Sequence, residues 1–172
     1  YEYVDHEHVW SIAGGSMPWM NRTFTDDYRD EMRETTYVTA NPFSDDLLGE
    51  APFERLLEVW RDGWDDDLGT VPARVVTDTT VRASRDHSPE RLIAHYMQPH
   101  HPFVPDPLDE GINRENPLDA DRPVWDRLAD SEIDPDRAWD AYRDNLRYVL
   151  DDVSLLLDNV DASRVVITAD HG

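Results

Sequence analysis

Apolar and polar residues alternate along the chain in blocks that predict strands and helices in turn. Residues 36–40 are rich in β-forming side chains and end at Asn41-Pro42, where proline cannot continue a strand ladder. Leu92 to Met97 is a mostly apolar run of strand length, and Arg164 to Ala169 is a continuous apolar run typical of a strand covered on both faces. Three strands are therefore predicted.

Helical spacing separates these runs. Phe53 to Trp60 has apolar residues at i, i+3, i+4 and i+7, with Pro52 suited to a first helical turn, so it predicts a helix. A second helix is predicted from Pro72 towards Asp86, and a short one around 122–129.

The clearest helix opens with Asp134 as N-cap and Pro135 at the first helical position. Its predicted apolar face has alternating spacings of three and four residues and consists of Trp139, Tyr142, Leu146, Val149, Val153, Leu156 and Val160.

Strands separated by helices predict an α/β fold, a three-layer α/β/α arrangement with a mainly parallel sheet. The length of 172 residues suits one domain. Because the chain begins at Tyr1 rather than Met and stops at Gly172 just after a strand-like run, we expect it to be an incomplete, interior part of that domain.

The net charge of -22 arises from 38 acidic residues against 16 basic ones, all of them Arg. Acidic residues spread along the whole chain predict a salt-adapted, halophilic surface, because concentrated salt screens its self-repulsion. The sign of the charge argues against nucleic acid as a partner. The Asp65 to Asp67 run and the Asp151-Asp152 pair are interpreted as solvated surface, and Trp60 as packing.

The composition also argues against cysteine chemistry and against a membrane span. There is no Cys, so thiol nucleophiles and Cys-ligated zinc are absent from these residues. No apolar run approaches the length of a membrane span, so no membrane segment is expected.

Candidate chemistry lies where strands end, because ligands of open parallel sheets bind beyond the carboxyl ends of strands. Asp170-His171-Gly172 follows the last predicted strand. A carboxylate beside an imidazole suits Zn or Mn, or Ca and Mg if oxygen ligands dominate. The alternative is a surface turn, but the position after a buried strand favours a divalent metal at Asp170 and His171.

The second strand exit holds His100 and His101 between two prolines. Restricted backbone there would help to hold an imidazole that contacts an anion or protonates a leaving group. The alternative is a loop histidine stacked on an aromatic ring. His95, inside the predicted strand, is interpreted as a core histidine with satisfied hydrogen bonds. In Asp5 to His8, acidic residues alternate with histidines, as metal ligands can do. No predicted strand ends beside this segment, so we do not expect a metal there.

Residues 165–172 resemble the strand and metal motif of the sulfatase-like branch of the alkaline phosphatase superfamily, of haloarchaeal type. Pro99-His100-x-Pro102-Phe103 resembles a second motif of that family, and residues 142–157 resemble the helix before its metal strand. The resemblance extends over about 92–172.

This resemblance implies hydrolysis of a sulfate or phosphate ester, on a small molecule or a glycan, at a divalent metal. Asp170 would bind the metal, His171 would bind it or lie beside it, and His100 would contact the transferred anion. The metal would act as a Lewis acid and stabilise the developing negative oxygen.

The sequence departs from the family in lacking the early Cys-x-Pro-x-Arg nucleophile motif of sulfatases. We expect the nucleophile and further acidic ligands to precede Tyr1, and the chain by itself to be inactive. Phosphatase, phosphodiesterase, phosphoryl transferase and a non-catalytic member in surface-glycan assembly remain alternatives.

Overall fold

The computed structural model describes residues 7–108 and 124–171. In chain order, its elements are α1 (Ser16–Thr23), a 3-10 turn (Asp26–Tyr28), α2 (Arg29–Arg33), β1 (Thr35–Thr39), α3 (Ser44–Leu48), β2 (Arg55–Glu58), α4 (Trp60–Gly63), α5 (Ala73–His87), β3 (Arg91–His95), α6 (Val124–Ala129) and α7 (Pro135–Asn159). The fold is α/β, with helices flanking a parallel sheet, as the sequence predicts.

The sheet has three strands in the order β2-β1-β3, and both neighbours of β1 run parallel to it. All five residues of β1 are buried, which suits the central position. Thr39, the last residue of β1, is in register with Glu58 of β2 and His95 of β3. The carboxyl ends of all three strands therefore reach the same edge.

Each face of the sheet has its own apolar cluster, because successive strand residues point to opposite sides. Val38 packs with Trp60, Val71 and Val76 on the face that α5 covers. Tyr37 packs with Met20 and Leu48, from α1 and α3, on the other face. The parallel sheet is thus covered on both sides.

Helix α7 packs on α5, and a half-buried ion pair joins the two helices because the Arg74 side chain is 57% exposed while Asp152 is buried. Asp152 is 5% exposed, and its Oδ1 accepts a hydrogen bond from Arg74 Nε at 2.5 Å. Thr77 of α5 also donates to the Asp152 carbonyl at 3.4 Å. The interpretation of Asp152 as solvated surface was therefore wrong, because its carboxylate joins two helices.

The predicted helix over Phe53 to Trp60 was also wrong. Residues 55–58 form strand β2, and only Trp60–Gly63 is helical. An i, i+3, i+4 pattern over only eight residues does not distinguish a helix from a strand. Pairing with β1 satisfies the backbone hydrogen bonds of residues 55–58, and this pairing cannot be read from the local pattern. This stretch supplies the third strand of the sheet.

The strand predicted at 164–169 is not found in the sheet. The segment makes no strand ladder within the described residues, and Val165, Val166 and Ile167 are 50%, 75% and 50% exposed. A β-branched run favours extended backbone, but a strand also needs an adjacent strand with which to pair. The predicted burial on both faces was therefore wrong.

The long helix was predicted correctly, but its buried face only in part, since Val149 is buried as predicted and most of the other predicted residues are half-buried or exposed. Asp134 caps α7 by accepting hydrogen bonds from the amides of Asp136 and Arg137 at 3.0 and 3.1 Å. The buried residues are Ala138, Ala141, Asn145, Val149 and Asp152. Trp139 and Leu146 are exposed instead, because the contacts with α5 and the loop after β3 use small and polar side chains.

The predicted strands at 36–40 and 92–97 and the helix from Pro72 are confirmed as β1, β3 and α5. The short helix predicted at 122–129 is confirmed from Val124, since residues 109–123 lie outside the described part. Within residues 7–108 and 124–171, no helix has both the length and the apolar composition for crossing a membrane.

Candidate active-site edge of the sheet

His95 lies at the carboxyl end of β3 and is held by a phenol. Its Nδ1 is 2.6 Å from Tyr37 Oη, and the Tyr37 and His95 rings are stacked. The Trp19 indole also contacts the imidazole in a T-shaped arrangement, with ring centroids 5.7 Å apart. A histidine held this way has a defined ring orientation.

The surroundings of this pair determine its protonation. Burial raises the pKa of Tyr37 above its ordinary value, while a hydrogen bond with Thr39 opposes part of that rise. Burial lowers the pKa of His95; the nearby Asp170 carboxylate partly offsets this and His171 adds to it. Both side chains are therefore neutral near pH 7.

Asp170 reaches this edge from the end of the 164–169 segment. Its Oδ2 is 3.8 Å from His95 Nε2, and its Oδ1 is 3.7 Å from His171 Nε2. Oδ1 also accepts a hydrogen bond from the His171 amide at 2.9 Å, and Ser11 Oγ donates to the Asp170 carbonyl at 2.6 Å. Asp170, His171 and His95 are thus brought together.

The second oxygen of Asp170 lacks a hydrogen bond. Oδ2 is buried and accepts none from any residue within 7–108 or 124–171. The distance to His95 Nε2 is too long for a hydrogen bond, yet one cation with bonds of about 2.0–2.6 Å would contact both atoms. A buried carboxylate oxygen without a donor is one feature that a site for the metal implied by the resemblance would have.

Glu58 provides a contrast at the same edge. Its Oε1 accepts from Ser44 Oγ at 2.6 Å, and its Oε2 accepts from Arg61 Nε at 2.8 Å. Trp60 Nε1 donates to the same Ser44 hydroxyl at 3.1 Å. Both Glu58 oxygens are engaged in protein contacts, so this carboxylate stabilises the α3–β2–α4 region.

The ligand set at Asp170 is partial. The imidazoles of His95 and His171 face different oxygens of the carboxylate, so they do not converge on one point. Among the residues that the structure describes, no group of three or more His, Asp or Glu side chains is arranged to hold a metal.

His100 and His101 lie in the loop after β3. His100 is exposed, and its Nδ1 is 2.6 Å from the His101 carbonyl oxygen. His101 is only 6% exposed, and its ring lies 4.4 Å from that of His100 and edge-on to Trp125. Burial lowers the pKa of His101 to about 4, and the charge of His100 contributes. The His101 ring is therefore uncharged near pH 7, and it packs against the ring of His100.

Asn145 of α7 anchors this loop. The side chain is fully buried, and its Nδ2 donates to the carbonyls of Pro99, His100 and Pro102 at 3.2, 3.0 and 3.4 Å. Its Oδ1 accepts from the Val104 amide at 3.2 Å. One amide side chain therefore determines the path of the backbone that carries His100.

The structure brings Asp170 beside His95 at the carboxyl end of β3, although residues 164–169 do not form the buried strand from which its position was predicted. Sequence reasoning missed Tyr37 and Asn145. His95 was interpreted as a core histidine because the predicted strand ran to Met97, whereas β3 ends at His95 itself. If the strand had been predicted to end at His95, this residue would have been a candidate for the site at the carboxyl edge of the sheet. Asp5, His6 and Gly172 lie outside the described residues.

An acidic depression lies away from these strand exits, between α4 and α5. It has a volume of about 560 Å³ and is rimmed by Asp62, Asp65, Asp66 and Asp67. Asp65 Oδ1 accepts hydrogen bonds from the Asp67 and Leu68 amides, both at 3.0 Å. These bonds stabilise the turn, and Asp66 and Asp67 are exposed, as expected of a salt-adapted surface.

Comparison of this chain with protein-family models, with curated proteins and with solved structures found no match. The interpretation of the site therefore depends on its geometry and on the motifs in the sequence.

Proposed function

We propose that this chain carries part of the metal and anion site of a sulfatase-like ester hydrolase of the alkaline phosphatase superfamily. Asp170 binds a divalent metal, and His171 binds it or lies beside it. His100 contacts the sulfate or phosphate group of the ester. None of these three residues is the nucleophile.

The observation that carries this proposal is the buried Asp170 carboxylate. Its side chain is 17% exposed, and its Oδ2 accepts no hydrogen bond within the described ranges, although a buried ionised oxygen is costly without a partner. A divalent cation supplies the missing partner. The carboxylate lies beside His95 at the carboxyl edge of a parallel sheet, where such folds bind ligands.

The hydrogen bond of His100 defines what this side chain can do. A carbonyl oxygen only accepts, so Nδ1 of His100 must carry a proton and donate to the His101 carbonyl. Neutral His100 then has a lone pair at Nε2 and can donate from that atom only as imidazolium. Protonated His100 therefore donates from Nε2 to an ester anion or to the leaving oxygen.

A metal bound at Asp170 supplies Lewis-acid stabilisation of the charge that develops on the ester oxygens. Within this chain, Asp170 provides the anionic ligand and Asn145 holds the backbone of the His100 loop. Burial of the Asp170 carboxylate strengthens its interaction with a cation because water screens it less.

The test is made on the native protein with metal titration and ester hydrolysis. Asp170→Ala is expected to lower metal affinity by at least about 100-fold and to abolish hydrolysis, because it removes the anionic ligand. His100→Ala is expected to lower kcat by about 10²–10³-fold while metal affinity stays within about twofold. Nitrophenyl sulfate, phosphate and phosphodiester substrates distinguish the ester classes.

Asp161→Ala and His87→Ala are matched controls, since both side chains are exposed. Unchanged metal occupancy in Asp170→Ala would contradict the site. Metal binding without hydrolysis of any of the three esters would instead favour a non-catalytic member of the same superfamily.

A further inference from the structure

The hydrogen bonds between α7 and the loop after β3 point to a positioning role for Asn145. We propose that Asn145 determines the tautomer of His100, and thereby which ring nitrogen contacts an anion. It does so by holding the peptide groups on both sides of the His101 carbonyl, which accepts the Nδ1 proton of His100. This inference depends on the proposed function, in which His100 contacts the sulfate or phosphate group.

The first support is the order of three carbonyls along the chain. Asn145 Nδ2 donates to the carbonyls of His100 and Pro102 at 3.0 and 3.4 Å. The His101 carbonyl lies between these two in the sequence, and its oxygen is 2.6 Å from His100 Nδ1. Because one amide holds both neighbouring peptide groups, the His101 peptide group has little freedom to rotate. Its carbonyl therefore stays directed at His100 Nδ1.

The second support is the rigidity of Asn145 itself. The side chain is fully buried, and its Oδ1 accepts a hydrogen bond from the Val104 amide at 3.2 Å. This bond defines which end of the amide is Nδ2, because only the NH₂ group can donate to carbonyls and only the oxygen can accept from an N–H. Aspartate has the same shape but no donor for the carbonyls. The position therefore requires an amide.

Contacts at the two ends of the loop limit what Asn145 has to hold. Gln98 is buried, and its Nε2 donates to a backbone carbonyl just before α5 at 3.0 Å. At the other end, Phe103 is 1% exposed and packs in the apolar cluster that includes Ala138 of α7. Only residues 99–102 lie between these anchors. Asn145 therefore acts on a short piece of backbone whose ends are already positioned.

The tautomer matters because the two nitrogens of a neutral imidazole differ in what they can do. The nitrogen that carries the proton donates, and the other accepts. With Nδ1–H bonded to the His101 carbonyl, the ring of His100 takes up its second proton at Nε2. The charge-assisted hydrogen bond to an anion is then made from Nε2. Without that carbonyl, either nitrogen can carry the single proton.

The experiment follows the ring nitrogens of His100 by NMR in native protein labelled with ¹⁵N-histidine. In the parent, neutral His100 is expected to be the Nδ1–H tautomer, and inorganic sulfate, added at an ionic strength kept constant with KCl, is expected to shift Nε2. Asn145→Ser is expected to give a mixture of both tautomers and to weaken sulfate binding by about tenfold. Asn145→Asp, which keeps the acceptor for the Val104 amide but loses the donors, should behave in the same way.

Val149→Ala is the matched control. Val149 is buried on the same helix, and the change to alanine loosens packing without removing a side-chain hydrogen bond. We expect this variant to keep the parental tautomer of His100 and a sulfate affinity within about twofold. The comparison separates positioning by Asn145 from a general loss of stability.

The outcomes also separate this inference from the proposed function. Unchanged His100 nitrogens at saturating sulfate in the parent would overturn the anion role of His100 and this inference with it. A response in the parent, with the same tautomer and affinity in both Asn145 variants, would overturn only the role of Asn145. The Nε2–H tautomer in the neutral parent would do so too, and that measurement needs no variant that must fold.

Discussion

At the scale of single residues, burial of an imidazole makes stability depend on pH. The pKa of folded His101 is about 4, below the ordinary value of 6.5, because the ring is buried. Between these values the unfolded chain binds more protons than the folded chain, so the free energy of unfolding falls as the pH falls. The contribution of His101 is complete above pH 6.5 and is lost by pH 4.

We therefore expect His101→Gln to reduce the loss of stability between pH 6.5 and pH 4 by about 3 kcal/mol, since one pKa unit corresponds to about 1.4 kcal/mol. Denaturant unfolding at a series of pH values measures this. His87→Gln, at an exposed position of α5, is the control and should keep the parental slope. Equal slopes for His101→Gln and the parent would contradict the prediction.

At the scale of elements, one residue couples α7 to the loop after β3. Asn145 is fully buried and makes four hydrogen bonds, to three carbonyls and to the Val104 amide. The hydrophobic pattern of α7 does not reveal that Asn145 is buried. Asn145 is polar, and it lies outside the apolar face that the spacing predicts. The loop partners are 41–46 residues away in the chain.

Asn145→Ala is expected to destabilise the protein by about 2–4 kcal/mol, because it leaves buried backbone groups without partners. Amide exchange at Val104 should also accelerate, since its N–H loses its acceptor. Asn21→Ala, on the exposed side of α1, gives the same change of helix propensity without the buried hydrogen bonds. Similar stabilities of the two variants would refute this role.

At the scale of the whole molecule, the charge of -22 is the dominant electrostatic feature. Many arginines form ion pairs with exposed acidic residues, such as Arg29 with Asp26 and Arg147 with Asp144. Such surface pairs contribute little to stability, and they leave most of the acidic excess unneutralised. Self-repulsion of the folded state therefore depends on the salt concentration.

We expect the protein to lose about 3 kcal/mol of stability, or roughly 10 °C in Tm, when KCl falls from about 3 M to about 0.1 M. Thermal unfolding followed by circular dichroism measures this. Sucrose at matched osmolality is the control, because it is excluded from the surface without screening charge. Equal Tm at both salt concentrations would rule out salt adaptation of this surface.

By itself, the sequence determined the α/β class, the helices α5 and α7, the strands β1 and β3, and the Asp134 cap. These features depend on residues that are close together in the chain, through β-branched side chains, helical spacing and capping chemistry. The prediction that Asp170 and His171 lie at a strand exit followed from the same local patterns, but residues 164–169 form no strand in the described part of the chain.

The tertiary structure alone decided that residues 55–58 pair as a strand, that 164–169 lies exposed, and that α7 buries Asn145 rather than Trp139. It also placed Tyr37 against His95, 58 residues away, and His95 against Asp170. Strand pairing, the buried face of a helix and convergence of side chains depend on contacts between distant segments, because only folding determines which neighbours satisfy each polar group and cover each apolar one.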